Sequence, residues 1–257
     1  MADYLLFRLY GPLASWGEIA VGEDRHSAVR PSRSALLGLL GAALGLDRND
    51  EDSQQKLCNG YRFGIKLLSP GFALRDYHTV QKGVPPRKSV FRSRRQELMA
   101  EKIETILSDR EYRCDSLSIV AVQALESAPE HLDTLEKALK CPHYTLYLGR
   151  KSCPLAAPLS PQRVSSSSLR EALDSAQFPS LLALTDDKEP RQDWPTERDR
   201  KAFRLQQTRY YWEEGMEAGM AHDLDTWRHD QPISRSRWQF SPRRELSRIQ
   251  EQNEEAT

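Results

Sequence analysis

The order of the apolar segments is the sequence feature that most constrains the fold. Stretches typical of strands are found at residues 4–10, 61–68, 117–125 and 144–148, and stretches typical of helices at 35–46 and 129–140. Once a polar excursion at 75–113 is left out, they follow as strand, helix, strand, strand, helix, strand. This order predicts an α+β protein with the ferredoxin-like βαββαβ arrangement that also underlies RNA-recognition motifs. Many functions share that fold, so the order alone identifies none of them.

The excursion carries a concentrated positive charge. Residues 81–96 include six basic residues and no acidic one, although the whole chain has 37 basic and 37 acidic residues. The six are Lys82, Arg87, Lys88, Arg92, Arg94 and Arg95. Because Tyr77 and Phe91 lie among cations, the segment suits a single-stranded nucleic acid, whose phosphates meet cations and whose bases stack on rings. A solvated, flexible loop explains the same composition, so both interpretations stay open here.

The first predicted helix combines glycines with basic residues at its start. Three glycines within residues 35–46 recur at spacings of three and four, which predicts one face that packs closely against a sheet or another chain. Arg30, Arg33 and Ser34 stand beside the helix N-terminus, where free backbone N–H groups attract anions. The pattern indicates either a phosphate site or ordinary capping by serine.

The sequence after residue 160 is more polar. Residues 165–168 form a serine run that predicts a linker, and 203–212 and 233–240 have the composition of strands. We therefore expect a small β-rich C-terminal domain over 165–246 and a flexible tail over 247–257. Arginines interleaved with aromatic residues form a second basic cluster there.

Several classes of protein are disfavoured. The four cysteines are widely separated, and His, Asp and Glu show no metal-ligand spacing, so we expect neither a disulfide framework nor a metal or other cofactor. No apolar run is long enough to cross a membrane, and the N-terminus has no secretion signal. We therefore expect a soluble, cytoplasmic protein that does not bind membranes.

One catalytic alternative has to be considered. His78, Tyr77 and Lys82 are residue types that can supply the base, acid and cation of a metal-independent endoribonuclease. Closeness in sequence is weak evidence for the geometry of a site, and His78 can equally bind RNA or pack beneath the excursion.

A set of ordered motifs resembles one known family. The chain is similar to the "Cas five" (CasD) family of type I-E CRISPR Cascade subunits, over residues 1–160 and more loosely beyond. The motifs are YLLFRLYGPLASWG at 4–17, RPSRSALLGLLGAALGL at 30–46, LRDYHTV at 74–80, YRCD at 112–115, YTLYLGRKSCPL at 144–155 and ISRSRW at 233–238.

The resemblance implies a domain plan and a set of partners. It implies an RRM-like domain over 1–78 and 115–164 with a thumb inserted at 79–114, and a non-catalytic subunit that holds the 5′ handle of the CRISPR RNA. The implied protein partners are the next backbone subunit and the large subunit of Cascade, with target DNA reached through the complex.

Candidate RNA-binding residues follow from the residue types and the resemblance together. We expect the helix start and the loop at 150–152 to contact phosphates, and aromatic residues to contact bases. The candidates are Trp16, Arg30, Arg33, Ser34, Arg75, Tyr77, His78, Arg113, Arg150, Lys151 and Ser152, with Lys82, Arg87, Lys88, Arg92, Arg94 and Arg95 as thumb contacts to RNA and protein.

Overall fold

A seven-stranded antiparallel sheet supports the rest of the chain. The computed structural model describes residues 1–20, 22–87, 89–181, 194–203, 205 and 207–251. The strands in chain order are β1 (Ala2–Tyr10), β2 (Leu13–Ala14), β3 (Trp16–Gly17), β4 (Asp24–Arg25), β5 (Ser27–Ala28), β6 (Tyr61–Ser69), β7 (Phe72–Gly83), β8 (Ile103–Cys114), β9 (Leu117–Ala124), β10 (Gln162–Ser166), β11 (Gln207–Glu213), β12 (Leu224–Ser234) and β13 (Gln239–Glu251). The helices are α1 (Arg33–Leu44), α2 (Glu51–Gly60), α3 (Arg94–Leu98), α4 (Leu132–Lys140), α5 (Leu169–Ser175) and α6 (Glu197–Phe203). The large sheet has the order β10-β1-β9-β6-β11-β13-β12.

Both faces of the sheet are covered by helices and loops, which explains why its central strands read as continuous apolar runs. In β1, Leu5 and Phe7 join the core shared with α1, α2 and α4, whereas Tyr4 and Leu6 join the core shared with α5. Successive side chains of a strand point to opposite faces, so a strand buried on both sides needs apolar residues at every position.

The helices predicted at 35–46 and 129–140 are confirmed. Ser32 caps α1 by accepting a hydrogen bond from the backbone N–H of Ala35 at 3.2 Å. In α4, Leu132, Leu135 and Leu139 are buried as one stripe on the sheet, as the helical spacing predicts.

The predicted strand at 144–148 is wrong. The backbone there is bonded to a helix end and a loop: His143 donates to the Ala43 carbonyl at 3.0 Å, Tyr144 donates to the Ala42 carbonyl at 3.1 Å, and the Leu148 carbonyl accepts from Ser15 at 3.0 Å. The strand beside β1 is instead β10, within which part of the predicted linker at 165–168 lies.

The C-terminal strands continue the large sheet, because β11 pairs with β6 as well as with β13. The strand predicted at 233–240 is wrong in its centre, where the chain turns from β12 into β13. The tail predicted from 247 is wrong as far as Glu251, which pairs with Gln207. Residues 252–257 lie outside the described residues.

The polar excursion is organised by a long antiparallel ribbon. β7 and β8 pair from Phe72 opposite Cys114 to Gly83 opposite Ile103, and α3 lies in the connection between them. A side chain at Gly83 would collide with the carbonyl oxygen of Glu97, so glycine lets the ribbon end approach α3.

No helix among the described residues is long and apolar enough to cross a membrane.

A buried arginine connects α1 to the C-terminal strands. Arg33 pairs with both carboxylate oxygens of Glu213 on β11 and donates to the backbone carbonyl of Tyr61 at 3.0 Å. Its own backbone N–H donates to Asp230 on β12 at 2.8 Å. Burial raises the pKa of the Glu213 carboxyl, and the positive charge of Arg33 opposes that shift. The pair therefore holds the helix start against two strands that follow much later in the chain.

We predict that Arg33→Ala lowers the free energy of unfolding by about 3–5 kcal/mol, because it leaves the buried carboxylate of Glu213 without its partner. Urea unfolding followed by circular dichroism measures the change. The control Arg237→Ala removes an exposed arginine and is expected to change this free energy by no more than about 0.5 kcal/mol. A loss below about 1 kcal/mol for Arg33→Ala would show that the pair does not hold the joint.

Candidate nucleic-acid interface

The arginines at the start of α1 form ion pairs with carboxylates of this chain. The phosphate contacts predicted for them are therefore wrong for this structure. Arg33 is buried in the cluster described above. Arg30 pairs with Glu245, and its guanidinium lies 3.7 Å from the centre of the Tyr211 ring. Burial lowers the pKa of Arg30 to about 10. Ser34 stays partly exposed, and its hydroxyl lies 3.0 Å from that of Ser32.

Trp16 is also unavailable to a base. Its side chain is part of the core, only 3% of the residue is exposed, and its backbone N–H donates to the Ser27 hydroxyl at 3.0 Å. A base can stack only on an accessible ring face. The prediction that Trp16 contacts RNA is therefore wrong for this structure, and the residue covers the core.

The ribbon exposes the candidate RNA-binding residues of β7 to solvent, but it does not bring their side chains together at one site. Tyr77 is 62% exposed, Arg75 pairs with Asp109, and His78 Nδ1 lies 2.8 Å from a carboxylate oxygen of Asp76. Tyr77 and His78 are neighbours on β7 and point to opposite faces, whereas Lys82 lies about 13 Å further along the strand. The three side chains of the endoribonuclease alternative thus do not converge in this conformation.

The cations of the predicted thumb surround α3 and the free end of the ribbon. Lys82, Arg87, Arg92 and Arg95 are exposed, and none of them forms an ion pair within the described part of the chain. Arg94 is bound locally, to Glu97 at 2.6 Å and to the Gln81 carbonyl. The side chain of Arg113, at the base of the ribbon, is half-buried. Lys88 lies outside the described residues.

The loop at 150–152 is a tight turn at the surface. The backbone N–H of Cys153 donates to the Arg150 carbonyl at 2.9 Å, which closes the turn and leaves Lys151 and Ser152 exposed. The Arg150 guanidinium lies 5.0 Å from the centre of the Tyr112 ring. Lys151 and Ser152 are thus exposed beside the half-buried side chain of Arg150, and their contact with RNA stays a prediction.

The structure reveals a groove that sequence reasoning missed. We call it the α1 groove: a cavity of about 570 Å³ between α1, residues 144–149 and the turn joining β12 to β13. The residues used below that line it are Gly38, Arg48, Tyr144, Tyr147, Arg235 and Trp238. Its aromatic residues belong to the motifs at 144–155 and 233–238, but both segments were interpreted as strands. The available signal for the groove was the presence of three aromatic residues in two segments that do not form continuous strands.

Hydrogen bonds fix the turn that forms one wall of this groove. Arg235 donates to the Ser34 carbonyl at 2.6 Å, which connects the turn to α1. Glu51 on α2 accepts from the Ser234 hydroxyl at 2.9 Å and from the Ser236 backbone N–H at 3.0 Å. Hydrogen bonds from Ser236 and then Ser234 lower the pKa of Glu51 to about 2. The groove wall is thus held from two helices.

The described residues contain no group of three or more His, Cys, Asp or Glu side chains placed to hold a metal ion. The exposed side chains offer cations for phosphates, and rings for bases or apolar groups.

A family model, a curated protein and solved structures that are similar to this chain all carry CRISPR-associated descriptions. The family model described as CRISPR-associated protein (Cas_Cas5) matches residues 4–245. The CRISPR system Cascade subunit CasD of Escherichia coli (strain K12) is 39% identical over 167 residues, which are 62% of this chain and 70% of that protein. A chain of a CRISPR RNA-guided surveillance complex superimposes with a TM-score of 0.63 at 26% identity, covering 96% of this chain and 90% of that one. A structure described as a Cas protein has a TM-score of 0.58 at 25% identity, covering 96% and 94%.

We predict that Glu51→Gln lowers the melting temperature at pH 7, and that its difference from the wild type shrinks as pH falls. The hydrogen bonds favour the charged carboxylate in the folded state. Their stabilisation is therefore fully present above the usual glutamate pKa of about 4.3 and is lost as pH falls toward about 2. Differential scanning calorimetry at several pH values measures both quantities.

The matched control for this experiment is Asp52→Asn, which neutralises the adjacent exposed carboxylate. We expect that variant to melt close to the wild type across the range. A Glu51→Gln difference that stays constant between pH 7 and pH 2 would contradict the assignment.

Proposed function

The chain belongs to the CRISPR-associated Cas5 family, and we propose that it is a non-catalytic RNA-binding subunit of a type I-E Cascade complex. In this function it holds the 5′ handle of the CRISPR RNA and caps the filament of backbone subunits. The relative from Escherichia coli is named as a Cascade subunit, and the superimposed chain comes from an RNA-guided complex. The observation that carries the proposal is the set of exposed cations at the end of the ribbon that form no ion pair among the described residues, namely Lys82, Arg87, Arg92 and Arg95.

The proposed architecture is an RRM-like, ferredoxin-like body with an inserted thumb. Support comes from the order β10-β1-β9-β6, which has the strand order of a ferredoxin-like sheet, with α1 and α4 packed on one face. The thumb at 79–114 corresponds to the outer part of the ribbon and α3, inserted between β6 and β9. The C-terminal module expected over 165–246 contains β11–β13, shares the body's sheet, and continues in β13 to Glu251.

The proposed RNA contacts are those that the fold leaves accessible. Lys151 and Ser152, with Arg150 beside them, are available to phosphates, and Tyr77 and His78 offer rings at the base of the thumb. The thumb cations would cross the RNA backbone and contact the next backbone subunit. The large subunit would contact this chain within the complex, and target DNA would be reached only through the complex.

Binding without catalysis is the preferred chemistry. A metal-independent nuclease needs its base, acid and cation around one phosphate. His78 and Tyr77 lie on opposite faces of the ribbon, and Lys82 is distant along it. This separation favours a role in positioning RNA over a role in cutting it.

We predict that replacing Arg87, Arg92, Arg94 and Arg95 together by Ala weakens RNA binding and flattens its salt dependence. Each lost phosphate contact reduces the slope of log K against log salt by about 0.7 for a single strand. Fluorescence anisotropy with single-stranded CRISPR-repeat RNA at several salt concentrations measures the slope.

The matched control replaces four exposed cations elsewhere, Lys56, Lys137, Lys140 and Arg198, and removes the same net charge. We expect the slope of this variant to stay close to that of the wild type. Equal losses in the two variants would show that net charge, and not the thumb, governs binding. An unchanged slope in the thumb variant would remove the thumb from the RNA site.

A further inference from the structure

We propose that the α1 groove binds one unpaired nucleotide of the RNA, with its base stacked on an aromatic side chain. This inference rests on the proposed RNA-binding function and assigns a site to it. The groove has a volume of about 570 Å³, which lies within the range of about 300–1,000 Å³ typical of small-ligand sites. It is therefore large enough for a nucleotide that has left a base stack.

Three aromatic side chains line the groove and remain accessible within it. Trp238 is 61% exposed, Tyr144 is 50% exposed and Tyr147 is 39% exposed. Sequence-specific RNA recognition uses exposed rings to hold splayed bases. A guanidinium is already stacked here: Arg48 lies 4.2 Å from the centre of the Trp238 ring. Stacked guanidinium and ring planes are the surfaces that contact bases in such sites.

Gly38 on the groove floor has no internal reason to be glycine. A Cβ atom added there would meet only the guanidinium of Arg235, at 3.8 Å, which is ordinary contact. A glycine inside a helix costs about 1 kcal/mol relative to alanine. Neither packing nor backbone strain among the described residues offsets that cost, whereas close approach of a ligand to the helix would.

The charges and the backbone favour RNA over a peptide. Arg48 is exposed and forms no ion pair among the described residues, and the groove wall at 144–149 leads directly into the Arg150–Lys151–Ser152 turn. A nucleotide in the groove would thus have cations near its phosphates. A peptide added as a strand would need a free backbone edge. Tyr144 and Leu148 already donate their N–H groups to Ala42 and Cys153.

The test is an abasic scan of the repeat RNA against the full-length protein. Single-stranded CRISPR-repeat RNA from the same genome is synthesised with one base removed at successive positions, and affinities are measured by anisotropy. We expect a penalty at one position, about 5- to 150-fold, from the loss of one base–aromatic stack. That penalty should disappear in Trp238→Ala or Tyr144→Ala, because the base and the ring are then already uncoupled.

Two further variants separate binding from folding. Trp227→Ala removes an exposed tryptophan on β12 that does not line the groove, and it should keep the abasic penalty. Gly38→Ala should raise the melting temperature. Gly38→Leu, which fills the floor of the groove, should remain folded and weaken RNA binding about tenfold or more.

Each remaining outcome overturns the inference. An abasic profile that is the same in Trp238→Ala, Tyr144→Ala and the wild type removes the groove from the RNA site and leaves the proposed function intact. If complexes that contain a groove variant lack another protein subunit while RNA affinity is unchanged, the groove is a protein-docking site. Absence of RNA binding by the wild type at low salt overturns the proposed function as well.

Discussion

The buried pair of Arg33 and Glu213 is the interaction on which the arrangement of this molecule depends. It connects the first turn of α1 to β11, and the neighbouring bond from Arg33 N–H to Asp230 extends the connection to β12. A charge taken out of water must be compensated where it is buried, so helix and strands are fixed in one relative position. That position brings the turn between β12 and β13 over the outer face of α1, where Arg235 bonds to Ser34. The α1 groove lies between this turn, α1 and residues 144–149.

The same constraint decides where an anion can bind. A helix N-terminus with two adjacent arginines has the features of a phosphate site, but here carboxylates from the C-terminal strands neutralise Arg30 and Arg33. Positive charge that remains free lies elsewhere, at the end of the ribbon and in the turn at 150–152. The RNA-binding surfaces proposed above are therefore the exposed face of α1 and the end of the ribbon. An extended ligand such as single-stranded RNA fits this distribution better than a small anion does.

The sequence was sufficient for those parts of the fold that depend on local pattern. The pattern of apolar residues predicts β1, β6, β9, α1 and α4, because in each of them these residues follow the spacing of a buried strand or of a helix. The fourth strand was wrong because β10 is a polar strand at the edge of the sheet, whereas the apolar segment at 144–148 covers a helix. The phosphate contact predicted for Arg33 is wrong for a different reason. Its partner is 180 residues away in the chain, and no local pattern shows that a basic side chain will meet a buried carboxylate. The same limit applies to the aromatic residues. Trp16 is expected to be accessible but is buried, whereas the aromatic residues of the α1 groove are accessible without having been predicted to be, because tertiary packing decides which side chains are exposed.

Ultraviolet crosslinking of the native complex, purified through this subunit, tests RNA binding by this chain most directly when peptide–RNA adducts are identified by mass spectrometry. We expect RNA to co-purify with the complex, and adducts on this chain to fall on two regions. These are residues 144–152 with the turn at 235–238, and the thumb at 79–114. Purification of the assembled complex without RNA would contradict the account. So would adducts confined to other surfaces of the chain, such as α4 or the exposed side of α5.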